Sequence, residues 1–139
     1  MPKVTATVEV DEQRMKDMLT CAFEGGSNYW YTIRTEQTVF AEGLAYADFQ
    51  EGGKCTDPDD YHHPLEIIPF VKGCALCIED KEDPDAEGKM LGREQLLAGL
   101  QIMAEKYPRH FSDMMHENDD AITGDVYLQC CLFGEVVYG

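Results

Sequence analysis

The sequence predicts a single α+β domain over residues 1–139, a small, mostly antiparallel sheet packed by about three helices. Three observations carry this. The 139 residues are 44% hydrophobic and 10% aromatic, enough to bury one core and too apolar for wholesale disorder. Segments of period-two alternation mix with segments of helical spacing along the chain. No repeat, low-complexity tract or linker divides it.

The elements follow in order. Val4, Ala6, Val8 and Val10 alternate with Thr5, Thr7 and Glu9, the pattern of a half-buried strand. Asp11 reads as a helix N-cap, with Glu12 in the first turn complementing the dipole. Met15, Met18, Leu19, Ala22 and Phe23 then lie on one helical face, and Val10 and Met15 can staple across the cap. Gly25-Gly26 ends this helix, because glycine takes a left-handed position without steric cost. Asn28 to Thr35 is rich in aromatic and β-branched residues and predicts a strand. In residues 36–63, VFAEGLAYADF is a short helix or an irregular strand, and EGGKCTDPDD is a loop by composition.

Pro64–Val71 and Gly73–Asp80 read as two strands joined by a hairpin at Lys72-Gly73. KEDPDAEGK forms an acidic turn, and Lys89–Leu91 is a short returning strand. Arg93–Tyr107 predicts a second helix with Leu96, Leu97, Leu100, Met103 and Ala104 inward, ended by Pro108. His110–Glu117 adds a turn or two. Asp125–Phe133 is apolar almost all round, so it is a buried helix or a central strand. Helix is preferred because Ile122, Val126, Cys130 and Phe133 share a face.

Charge narrows the function classes. Asp and Glu total 27 against 11 Lys and Arg, for a net charge of −16 and an isoelectric point near 4.4. Binding a nucleic-acid duplex and binding an anionic membrane surface both need basic residues, so direct binding to either is not expected. No stretch approaches the roughly 18 apolar residues of a membrane span. MPKVTATVEVDEQ does not resemble a signal peptide, so a cytoplasmic setting with reduced thiols is expected. Of the cysteines Cys21, Cys55, Cys74, Cys77, Cys130 and Cys131, only Cys74 and Cys77 form a CxxC. A zinc site needs a second ligand pair, and adjacent His62 and His63 point apart on an extended chain. Packed core thiols, with no metal and no cofactor, are the expectation.

Two stretches, LTCAFEGGSNYWYTI at Leu19–Ile33 and the C-terminal DVYLQCCLFGEVVYG, flank the Gly73-centred segment. Together these resemble small proteins of bacteriophages and prophage-like elements. The resemblance implies a setting, the cytoplasm of an infected or lysogenic bacterium, and carries over no catalytic residue.

Catalytic chemistry finds no motif. GxSxG and GxxxxGK[ST] are absent, and the Gly25-Gly26 pair follows a helix instead of opening one. Around that pair, Tyr29 and Trp30 are candidates for a ligand pocket or an aromatic anchor, together with Tyr61. The alternative is that the glycines stop a helix while the aromatics alternate between core and surface. Asp57, Asp59 and Asp60 precede His62 and His63 in a spacing that matches no defined metal site. The acids instead gather in loops: Asp57, Asp59 and Asp60; Glu79, Asp80, Glu82, Asp83, Asp85 and Glu87; and Asp119 and Asp120. So one-sided a surface opposes compaction and exceeds what solubility requires.

The expected function is therefore a non-enzymatic phage or mobile-element protein. Its acidic surfaces would bind a basic host protein, such as a CRISPR or restriction effector, in place of nucleic acid. The alternative is a sequestering protein for a small molecule or nucleotide signal. Its pocket would lie near Gly25–Trp30 and Cys74–Asp80, with Arg34, Lys72 or Arg93 as local cations.

Overall fold

A computed structural model describes residues 2–44 and 64–139. Helix α1 spans Glu12–Cys21, and the Asp11 side chain accepts from the Gln13 backbone N–H as its cap. A wide turn of π geometry, Ala22–Gly26, continues it. Strand β1 is Tyr31–Ile33, and a single 3-10 turn follows at Thr35–Gln37. Helix α2 spans Pro64–Ile67 and passes into a 3-10 turn at Ile68–Phe70. Strands β2, Leu76–Asp80, and β3, Lys89–Leu91, precede helices α3, Arg93–Lys106, and α4, Pro108–Met115. Helix α5, Ala121–Phe133, completes the regular structure. The sheet is antiparallel in the order β1-β2-β3, with Ile33 opposite Ile78 and Leu76 opposite Leu91. The α+β class holds.

Helix α5 forms the centre of the domain. Residues 123–131 are all buried, and the helix lies against α1, α3, the wide turn and β3. Two glycines allow its close approach. A Cβ at Gly124 would stand 2.7 Å from the Met18 carbonyl oxygen, and one at Gly99 of α3 would stand 2.7 Å from the Cys131 Cα. Any larger residue would force these helices apart. Met18, Leu19, Trp30, Ile68, Leu76, Leu91, Leu96, Met103 and Met114 fill the surrounding core.

Several expectations are corrected. Residues 2–10 form no strand and lie largely exposed, since alternation needs a neighbouring edge to pair with. Gly25 has φ 163°, which is extended backbone, so no left-handed glycine ends α1. Gly26 is needed for a different reason: a Cβ there would collide with the Ala121 carbonyl at the start of α5. The strand predicted for residues 28–35 is only three residues long, because 28–30 turn. Pro64–Val71 is helical where a strand was expected. Proline donates no N–H to a sheet ladder, yet it suits a first helical turn, the place Pro64 occupies. The hairpin is accordingly β2–β3, closed by the acidic turn, and Lys72-Gly73 instead leads out of the helical segment. Helix α5 begins at Ala121, which puts Ile122 in an exposed first turn; Leu97 of α3 is likewise half exposed.

Candidate functional site

The acids at 79–87 lie on one hairpin. Asp80 shapes its turn: the Oδ1 atom accepts from the Glu82 backbone N–H at 2.9 Å, and the backbone carbonyl accepts from Asp83 at 3.1 Å. A second turn closes from the Ala86 N–H to the Asp83 carbonyl, also at 3.1 Å. The Lys81 backbone N–H donates to the Trp30 carbonyl at 2.7 Å, tying the turn to the core. Arg34 reaches under the loop and donates to the Pro84 and Ala86 carbonyls at 3.4 Å each. It also pairs with Glu79 at 3.2 Å, and hydrogen bonding to that carboxylate raises its already high pKa. Lys81 is occupied with the Asn28 carbonyl at 3.0 Å. Tyr138 donates to Asp80 Oδ2 at 2.5 Å. Glu79 and Asp80 are thus partly buried and engaged in the fold, while Glu82, Asp83, Asp85 and Glu87 are exposed on a braced turn. Gly88 lets the chain pass directly over the Cys77 sulfur, where a Cβ would collide.

The remaining acids divide. Asp120 caps α5, accepting from the Thr123 backbone N–H at 2.9 Å, which lowers its pKa. Asp119 sits 3.8 Å from the Cys21 sulfur; burial, reinforced by Asp119, pushes that thiol up to about 11. Asp120 thus serves the start of α5, while Asp119 faces the end of α1. Asp57, Asp59, Asp60 and Tyr61 lie outside the described residues, as do His62 and His63.

A second feature is the cleft beside α5, of about 550 Å³, bordered by Gly25, Gly26, Tyr29, His110, Asp125 and Tyr138. At its floor Asp125 accepts three hydrogen bonds, from Ser27 Oγ at 2.7 Å, Trp30 Nε1 at 2.7 Å and Tyr29 OH at 2.6 Å. Burial and this carboxylate push the Tyr29 phenol up to about 12. Trp30 is therefore a fully buried core residue, not a surface anchor. Tyr29 stays half exposed at the rim. Gln129, also fully buried, accepts from the Val137 and Tyr138 backbone N–H groups at 2.7 and 2.8 Å and donates to the Tyr138 carbonyl at 3.1 Å. Its amide pins residues 137–138 along the cleft, and Tyr107 OH accepts from Val136 N at 2.8 Å. The cleft's buried polar groups are thereby committed to folding.

Sequence reasoning missed Asp125, Gln129 and the fully buried Glu66, which accepts from Thr20 Oγ1. A signal existed for the first two: a carboxylate and an amide inside an otherwise apolar helix demand partners. Cys74 and Cys77 are buried with different neighbours, the Ala41 N–H at 3.3 Å and Gln37 Oε1 at 3.6 Å. Among the described residues no His, Cys, Asp and Glu cluster is arranged to hold a metal ion. No helix there is long and apolar enough to cross a membrane. The chain matches no family model, no curated protein and no solved structure.

Proposed function

We propose that the protein is a non-enzymatic binding protein whose acidic β2–β3 turn engages a basic surface on another protein. The carrying observation is the bracing of that turn. Glu82, Asp83, Asp85 and Glu87 stand exposed on backbone already fixed by Arg34, Asp80 and the Trp30 carbonyl. A preordered loop loses little entropy on binding, and clustered like charge speeds encounter with an opposite surface. A basic host protein that normally holds nucleic acid fits this chemistry best, because its channel is built to receive rows of anionic groups. A nucleic-acid-acting defence effector of a bacterial host is the most concrete case. The sequestering alternative draws no specific support, since Asp125 and Gln129 are committed internally and Arg34 and Arg93 are paired with Glu79 and Glu12.

The test is quantitative capture of basic proteins from bacterial lysate, at low and high salt, with the native chain and Asp83→Lys/Asp85→Lys. Reversing both charges should weaken capture roughly tenfold, chiefly through slower association, and raised salt should do the same. Capture indifferent to both changes would refute the reading.

A further inference from the structure

Residues 2–10 form no hydrogen bond or ion pair with any other described residue, and Val4 and Val8 are 92% and 53% exposed. Yet this is the segment with the clearest strand alternation in the chain. We propose that residues 3–9 pair antiparallel with the same residues of a second copy, about a two-fold axis through Ala6.

The warrant is the symmetry of the segment itself. Val4-Thr5-Ala6-Thr7-Val8 reads identically in both directions, and Lys3 and Glu9 flank it with opposite charges. A two-fold pairing is self-complementary only if each residue suits the one it meets. With Ala6 opposite Ala6, Val4 meets Val8, Thr5 meets Thr7, and Lys3 meets Glu9, each contact occurring twice. Apolar pairs, threonine pairs and opposite charges are the favourable cross-strand combinations. Slipping by one residue sets apolar against polar positions. Slipping by two takes Lys3 away from Glu9. The segment also has a platform. Ala6, Val8 and Val10 border a groove of about 150 Å³ with Leu97, Leu100 and Phe111 of the helical layer. An isolated two-stranded ribbon is marginal in water, and this apolar support beneath each strand supplies what a ribbon lacks.

Sedimentation equilibrium of the full chain across a concentration series tests the pairing. The native chain should reach a dimer. Lys3→Glu and Glu9→Lys, singly, should each weaken it about tenfold, since both symmetry-related pairs turn from attraction to repulsion. The double variant Lys3→Glu/Glu9→Lys should recover the native affinity. Ala6→Pro/Thr7→Pro removes the N–H of two successive residues, one of which must point at the partner strand, so it should abolish dimerisation while leaving the circular dichroism spectrum and thermal midpoint of the monomer unchanged. A chain monomeric at every concentration overturns the proposal. So does a dimer that survives Ala6→Pro/Thr7→Pro, or a double charge swap that associates no better than the singles.

Discussion

Replacing Asp125 by alanine should destabilise the domain more than any surface change. Ser27 and Trp30 are fully buried, and both donate to Asp125 Oδ1 at 2.7 Å. Alanine orphans two buried donors at about 1–3 kcal/mol each. Tyr29, half exposed, regains water at little cost. Removing a desolvated carboxylate returns part of the loss, leaving a net destabilisation of about 3 kcal/mol. For a chain of this size that corresponds to a fall of about 10 °C in Tm. Asp125→Asn keeps one oxygen to accept from both buried donors, and its NH2 replaces the oxygen that accepted from Tyr29, whose hydroxyl can turn to accept instead; it should cost about half as much. The assay is urea unfolding followed by fluorescence of Trp30, the one tryptophan of the chain, with circular dichroism as a second probe. Asp125→Ala within about 0.5 kcal/mol of native, or Asp125→Asn worse than alanine, would refute the account of Asp125 as the hub of this network.

Other outcomes follow from the same structure. Glycine to alanine inside a helix ordinarily stabilises by up to about 1 kcal/mol. At Gly99 and Gly124 the sign should reverse, because the added Cβ meets backbone of the facing helix at 2.7 Å; urea midpoints should fall by an amount equivalent to about 1–3 kcal/mol or more. Stability should also fall at alkaline pH. Burial pushes Cys21 and Cys130 up to about 11 and Tyr31 up to about 12, while Tyr29 and Tyr138 are held near 12 with help from Asp125 and Asp80. The unfolded chain releases these protons first, from about pH 9 for thiols and pH 10 for phenols. Stability from these groups is whole below that range and lost as pH climbs toward 12, so a flat or rising urea midpoint across it would contradict the assignment.

Local chemistry was legible where it was self-contained. Asp11, Glu12 and the apolar face of α1 announced that helix, and the acidic turn with Lys89–Leu91 announced a return strand. Helix α3 was legible from its spacing. What failed depended on distant partners. Ile67 and Ile68 favour strands by propensity, but Pro64 and Pro69 cannot donate to a ladder, and the segment turns helical. Trp30 looked available because its acceptor, Asp125, is 95 residues away. Gly25-Gly26 marks a break on sequence grounds, but its cause is distant: the second glycine answers to Ala121, which nothing local reveals. The acids at 79–87 were a visible cluster, but the division between structural Glu79 and Asp80 and the exposed four emerges only from Arg34 and Tyr138.

The central position of α5 has a consequence for how the chain is made. A nascent chain that has emerged only to residue 120 contains α1, β3 and α3, but lacks the helix that all three face. The surfaces around Met18, Cys21 and Gly99 then have no occupant, and the Ser27 and Trp30 donors have no carboxylate. Stable packing therefore waits for residues 121–133, and no earlier portion forms a finished core. Synthesis leaves the apolar faces of α1 and α3 open for longer than in a protein whose early elements pack on each other. A fragment ending before Ala121 should bind chaperones, and a synthetic α5 peptide supplied in trans is the piece that would complete it.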